Sequence, residues 1–129
     1  MAKHPRRTQA EWLEDTRKRH AATIVQFDAL VRADLARPWT LDELSRKVSY
    51  SRFHLTRIFA AQTGLTPMRY LSKLRFEEAA HLLATTLMNV AHVSSSVGFD
   101  SVGSFSSAFT RHFGMTASEY REIAQRGEA

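Results

Sequence analysis

The stretch from Ser45 to Arg57 holds the residues of this 129-residue chain that are best suited to binding a ligand. It carries Arg46, Lys47, Arg52 and Arg57 and contains no acidic residue. Lysine and arginine bind phosphate groups, and a guanidinium can also donate two parallel hydrogen bonds to the edge of a guanine base. The chain has a formal net charge of +5 at pH 7, with the excess in its first half. This distribution favours a polyanionic partner, and the alternative is that the basic run is simply a solvated face.

The six histidines could support a different chemistry. Glu78 and His81 have the i, i+3 spacing of a ligand pair in di-metal helical bundles. Such a site needs a second copy of the motif with further carboxylates around it, and no second Glu-x-x-His occurs in the sequence. The chain also lacks cysteine, a glycine-rich phosphate loop, a nucleophile motif and an HExxH motif. We therefore expect that the protein is not an enzyme and that it has no catalytic residue, no metal site and no cofactor.

The composition is compatible with a reducing cytoplasm. Without cysteine there is no disulfide or thiolate chemistry. No apolar run approaches the roughly 18 residues of a membrane span, and the N-terminal MAKHPRR lacks the apolar core of a signal peptide. We expect a soluble, cytoplasmic protein with no membrane partner.

A long helix from Thr66 to about Ala84 organises the rest of the chain. Thr66 is a good N-cap, and Pro67 occupies the first helical position, where a missing N–H group costs nothing. Apolar residues cover well over half of the helix circumference, which predicts packing on more than one side. The narrow polar strip consists of Arg69, Lys73 and Glu77.

The segments before and after this helix each show helix-turn-helix spacing. Thr40 opens a capping box with Glu43, and Ser51 caps a second helix that ends at Gly64. After the long helix, Asn89 and Ser101 begin two helices in the same way. Four residues recur at a constant offset, which indicates an internal repeat: Phe59, Gly64, Thr66 and Tyr70 become Phe109, Gly114, Thr116 and Tyr120. Tyr50 and Phe99 break this offset by one, so the second turn is predicted to be one residue longer.

The expected fold is all-α, with about seven helices arranged as two helix-turn-helix three-helix subdomains that a long bridging helix joins. The basic N-terminal extension, partly disordered or helical, covers residues 1–20. The first subdomain covers 21–65, the bridging helix 66–84 and the second subdomain 85–129. Whether residues 8–36 form one helix or two is left open by the sequence.

Two stretches carry a family resemblance, YSRFHLTRIFAAQTGLTPMRYL and GFDSVGSFSSAFTRHFGMTASEYR. They resemble the DNA-binding domain of the AraC/XylS family of bacterial transcription regulators, over about Ile24 to Arg121. The length and layout are most similar to the single-domain members. The resemblance implies two recognition helices that enter successive major grooves of double-stranded DNA. Because both helices come from one chain and differ in sequence, we expect a monomer. The resemblance also implies a transcription regulator, usually an activator that contacts RNA polymerase.

The resemblance and the residue chemistry together give the expected DNA-binding residues. In the first recognition helix these are Arg52, Phe53, Thr56 and Arg57, with His54 close by. In the second they are Ser101, Val102, Gly103, Ser104, Ser106 and Ser107. We expect Arg57 to read guanine and Phe53 to lie against a thymine methyl, unless Phe53 packs in the core. The expected phosphate contacts are Arg46, Lys47, Ser51, Arg52, Ser101 and Arg111.

The second recognition helix departs from the family pattern. Val102 and Gly103 replace a polar, often glutamine-rich start, and Ser107 stands where arginine is common. Short hydroxyl side chains cannot span a base edge with the discrimination of an arginine. We therefore predict that the second helix anchors the protein more than it selects sequence. The same departure leaves an alternative function, a protein-interaction module or anti-activator with this fold and weak DNA binding.

Overall fold

A computed structural model of the chain describes residues 7–127. Within this range the chain forms helices and no strand, which confirms the all-α prediction. The helices are α1 (Gln9–Ala33), α2 (Leu41–Lys47), α3 (Arg52–Thr63), α4 (Pro67–Thr85), α5 (Val90–Ser96), α6 (Val102–Phe113) and α7 (Ala117–Gln125). The part of the basic extension before Arg7 lies outside the described residues.

Helix α1 answers the question that the sequence left open, because it runs without interruption to Ala33. Its start is fixed by a capping box: the backbone N–H of Glu11 donates to the Thr8 hydroxyl at 3.1 Å. In return, the Thr8 backbone N–H donates to a Glu11 carboxylate oxygen at 2.8 Å. These two bonds satisfy N–H groups that have no partner within a helix, so the basic segment continues the first helix of the fold.

The two helix-turn-helix segments begin and turn as the repeat predicts. Thr40 accepts a hydrogen bond from the Glu43 backbone N–H at 3.1 Å, and Asn89 accepts one from His92 at 2.7 Å. The second turn is one residue longer, because five residues separate α5 from α6 and four separate α2 from α3. The recognition helices α3 and α6 end at Gly64 and Gly114, both with φ of 75°. This left-handed conformation favours glycine and confirms the predicted helix ends.

The turn between α2 and α3 differs from its counterpart in one residue. Ser49 has a positive φ of 63°, whereas the equivalent position between α5 and α6 is Gly98, with φ of 96°. A Cβ atom on Gly98 would lie 3.2 Å from the backbone of Ala36 and 3.1 Å from Nε of Arg75. Two features therefore favour glycine at position 98: the left-handed backbone conformation and the close approach of the neighbouring atoms.

Among the described residues, one compact unit contains residues 7–30 together with Thr40–Pro67. The rings of Phe27 and Phe59 form its centre, with 4.6 Å between their centroids in an edge-to-face arrangement. Helix α1 is held to α3 by the Gln62 amide, which donates to the backbone carbonyl of Arg17 at 3.3 Å. Completely buried aliphatic side chains from α2 and α3 complete this core: Leu44, Leu55 and Ile58.

The other unit contains Val31–Trp39 and residues 68–127. Its core is rich in aromatic and aliphatic side chains, namely Phe76, Ala79, Leu83, Val93, Val97, Phe105, Phe109 and Ala117. Two arginines bind backbone carbonyls in this unit. Arg75 donates to the carbonyls of Leu35 and Arg37 at 3.1 and 2.7 Å, and Arg121 donates to that of Leu83 at 3.1 Å. Leu83 lies in the last turn of α4, where carbonyls have no partner within the helix, whereas Leu35 and Arg37 follow the end of α1.

Helix α4 is buried around most of its circumference, as its apolar pattern predicts. Leu71 and Leu83 are completely buried, whereas Leu82 is half-buried. The predicted polar strip is exposed and consists of Arg69, Lys73 and Glu77. Lys73 and Glu77 form an ion pair at 3.8 Å, one turn apart.

Candidate nucleic-acid interface

Helix α3 presents one apolar face to the core and one polar face to solvent. The Ser51 hydroxyl caps it by accepting from the His54 backbone N–H at 3.1 Å. Leu55, Ile58 and Phe59 are buried, as the helical period requires. The opposite face therefore points outward, and it carries the residues that the sequence analysis assigned to DNA.

Phe53 lies on this outward face with 79% of its surface exposed. The sequence left open whether Phe53 packs in the core, and the structure excludes that interpretation. The two arginines near it, Arg52 and Arg57, are exposed as well. Together with Leu41 and Thr56, these side chains line an open groove of about 460 Å³. The cations of this groove suit the phosphates of a nucleic acid, and its exposed ring suits the flat bases.

Arg52 has a partner that its sequence neighbourhood did not indicate. Its Nε forms an ion pair with Oδ1 of Asp42, the second residue of α2, at 3.0 Å. Thr56 turns its hydroxyl inward along the helix and donates to the backbone carbonyl of Arg52 at 2.8 Å. In the folded chain, an acidic side chain thus lies beside the basic run from Ser45 to Arg57. Asp42 lies beside the predicted site residues, and the sequence analysis did not include it, because an ion pair across the turn between α2 and α3 leaves no local signal.

His54 occupies the edge of the reading face and packs against its own unit. Its ring stands edge-on to Tyr50 at 4.9 Å and to His20 of α1 at 5.7 Å, measured between centroids. Partial burial, the positive potential of His54 and that of Arg19 lower the pKa of His20. Tyr50 also lies within 3.4 Å of the Thr23 hydroxyl. This cluster fixes the start of α3 against α1 and leaves His54 half-buried.

The remaining basic residues of the first unit lie at the end of α2. Arg46 and Lys47 form its last turn, and both are exposed. A cation at the C-terminus of a helix is stabilised by the helix dipole, so part of their role is structural. Their exposure keeps both charges available for a polyanion.

Helix α6 in the other unit shows the same cap with different side chains. The Ser101 hydroxyl accepts from the Ser104 backbone N–H at 3.1 Å, and Phe105 and Phe109 are buried beneath. Val102 is 45% exposed. The other predicted site residues of this helix are also exposed: Gly103, Ser104, Ser106, Ser107 and Arg111. The outward face therefore offers short hydroxyls and one arginine, without an exposed aromatic ring.

The described part of the chain provides no alternative metal centre. Among residues 7–127 there is no group of three or more His, Asp or Glu side chains that could hold a metal ion. Of the Glu78 and His81 pair, His81 is exposed and Glu78 is half-buried. Along the same residues, none of the helices is both long and apolar enough to span a bilayer.

Two capped helix-turn-helix segments with outward-facing polar helices define a nucleic-acid-binding protein of the helix-turn-helix class. The family model of the helix-turn-helix domain matches residues 44–123. Among curated proteins, the chain is 38% identical over 84 residues to the RCS-specific HTH-type transcriptional activator RclR of Escherichia coli. It is 34% identical over 105 residues to the HTH-type transcriptional activator RhaR of Salmonella schwarzengrund. These matches cover 65% and 79% of this chain but 30% and 37% of the relatives, so the chain spans less than half of their length.

Solved structures agree with this relationship. An AraC-type transcriptional regulator from Chromobacterium violaceum superposes with a TM-score of 0.77 at 29% identity, over 81% of this chain and 93% of that chain. The DNA-binding domain of AdpA, in complex with a target DNA, superposes with a TM-score of 0.75 at 26% identity. That match covers 83% of this chain and 98% of the AdpA domain. The chain belongs to the AraC family of transcription regulators and carries its DNA-binding domain, as the sequence resemblance predicted.

Proposed function

We propose that this chain binds double-stranded DNA with sequence preference, through the outward face of α3, and thereby regulates transcription. The observation that carries the proposal is the 79% exposure of Phe53 on a capped helix beside Arg52 and Arg57. A large aromatic side chain exposed among cations has no role in the core, and its surroundings suit a base edge and its phosphates. The formal net charge of +5 supports the same partner.

We assign different tasks to the side chains of α3, of its cap and of the end of α2. Arg57 donates a bidentate pair to guanine O6 and N7, and Phe53 lies against a thymine methyl group. The Ser51 hydroxyl has already accepted a backbone N–H, but it can still donate to a phosphate. Arg46 and Lys47 bind phosphates, which adds affinity without selecting sequence. Thr56 and His54 border this surface.

We assign to α6 an anchoring role. The hydroxyls of Ser101, Ser104, Ser106 and Ser107 can donate to phosphates or hold bridging water, and Arg111 adds one charge. Val102 and Gly103 bring the backbone and a small apolar surface close to the groove. Such contacts fix the register of the protein on DNA and are tolerant of the base sequence.

The regulatory role follows from the family. The relatives RclR and RhaR are named transcriptional activators, and we propose activation, with a contact to RNA polymerase, for this chain as well. One chain contains two different reading helices, so it needs no two-fold symmetry and binds as a monomer to a non-palindromic site. This role belongs to the bacterial cytoplasm and includes no catalytic step.

The test compares a selected duplex with random DNA. A duplex recovered from a random pool by the purified chain is labelled, and fluorescence anisotropy measures its dissociation constant at about 150 mM salt. We expect a ratio of at least about 10³ between random and selected duplexes, the lower end for specific DNA-binding proteins. Equal affinity for both, or no enrichment from the pool, would instead favour the anti-activator alternative.

A further inference from the structure

We propose that Asp42 is a positioning residue that orients Arg52 for reading a base edge and reduces its attraction to phosphates in general. The inference rests on the proposed DNA binding and adds an acidic residue to the proposed site. Asp42 Oδ1 lies 3.0 Å from Arg52 Nε in an ion pair, and both side chains are 59% exposed. Arg52 is the first residue of α3 and lines the same groove as Phe53 and Arg57.

The geometry of the pair leaves the distal end of the guanidinium available. Arginine has five N–H donors, of which Nε carries one. Asp42 lies on the Nε side of the guanidinium, so the four N–H groups on Nη1 and Nη2 can still form an end-on pair with guanine O6 and N7. An arginine that is held before binding loses less rotamer entropy when it meets its target. The ion pair therefore prepares a directional contact.

A phosphate contact would gain nothing from this arrangement. Attraction to a phosphate depends mainly on net charge, and Asp42 cancels the charge that Arg52 brings to the groove. Exposed ion pairs also contribute little to folding, so stability alone does not account for the acid at this position. A second role of Asp42 is to complement the dipole at the start of α2, which is independent of Arg52. Base reading by Arg52 thus replaces the phosphate contact expected from the sequence.

The experiment measures sequence preference and salt dependence separately for three variants. Asp42→Asn removes the charge and keeps the size, and Arg52→Lys keeps the charge but has no Nε donor. Glu122→Gln is the matched control, because it removes the same charge from an exposed ion pair with Arg126 at 3.1 Å on α7. The probes are the duplex selected by the unmodified chain, its single-base-pair variants and a random duplex of equal length.

We expect Asp42→Asn to bind the random duplex more tightly and to steepen the salt dependence by up to about 0.9 in log–log slope. At one base pair of the selected duplex, its preference should fall about tenfold, and Arg52→Lys should lose preference at the same base pair. Glu122→Gln should change neither quantity.

Two results would overturn the inference. The first is an equal change in affinity for selected and random duplexes in Asp42→Asn, with every base preference retained, which would make Asp42 a general electrostatic brake. The second is an unchanged preference profile in Arg52→Lys. If the unmodified chain selects no duplex at all, the proposed function fails and the inference fails with it. Selection by the unmodified chain with identical profiles in the variants contradicts the inference alone.

Discussion

Phe53 and Phe59 lie on the same helix, yet Phe53 is 79% exposed and Phe59 is completely buried. The two rings separate the functions of α3, because one face builds the core and the other is available to a ligand. Phe59→Ala should lower the free energy of unfolding by about 3–5 kcal/mol, since it removes a buried ring that packs on Phe27. Phe53→Ala should change it by less than about 0.5 kcal/mol and still weaken binding to the selected duplex. Urea denaturation measures the free energy of unfolding of both variants. A comparable loss of stability in Phe53→Ala would show that its ring packs in the core.

Arg57 and Lys47 should respond differently to truncation. Arg57→Ala should cost about 1–3 kcal/mol of binding on the selected duplex and relax preference at one or two base pairs, because a bidentate contact is lost. Lys47→Ala should weaken selected and random duplexes alike and reduce the salt slope by about one. Anisotropy titrations at several salt concentrations distinguish the two. Uniform weakening by Arg57→Ala would mean that it binds phosphate rather than a base.

Much of the fold could be predicted from local signals. The helix starts at Thr8, Ser51 and Asn89 depend on a side chain that caps its own backbone, and the ends at Gly64 and Gly114 need a left-handed residue. Each signal acts over three or four residues, so sequence reasoning can detect it. The length of α1 was less clear, because its polar stretch weakens the apolar period without containing a helix breaker.

The details of the site depended on tertiary contacts that local patterns do not encode. Phe53 fits both a core and a surface role until the orientation of α3 is known. The Asp42 and Arg52 pair forms because the turn brings the start of α2 beside the start of α3. His54 turns toward His20, which is far away in sequence. Such relationships require the packed structure, since periodicity describes one helix at a time.

The turn glycine offers a test of backbone strain. Gly98→Ala should destabilise the protein by more than about 1 kcal/mol, because φ is 96° and the new Cβ would lie 3.2 Å from the Ala36 backbone. Gly103 is the matched control: it is the second residue of α6 with open space around it, and Ala should leave stability unchanged or raise it by up to about 0.5 kcal/mol. Thermal unfolding of both variants provides the comparison. Equal melting temperatures would contradict the strain at Gly98.

The His20 cluster predicts an effect of pH on stability. Partial burial, His54 and Arg19 lower the pKa of His20 below its ordinary value of 6.5. The unfolded chain then takes up the proton at higher pH than the folded chain, so stability is lost as pH falls through 6.5 toward the folded pKa. His20→Gln should reduce this dependence. Urea denaturation between about pH 7.5 and 5 measures it, and identical pH profiles for both proteins would rule out a contribution from His20.

The central claim is sequence-selective DNA binding that depends mainly on α3. A selection of bound duplexes from a random pool tests this claim most directly. For the unmodified chain we expect a footprint of about two helical turns in which one half is sharply defined and the other tolerates most substitutions. Ser107→Arg adds a long donor to the exposed face of α6, so it should tighten binding and sharpen the second half. Two equally well-defined half-sites for the unmodified chain, or no enriched sequence at all, would contradict the claim.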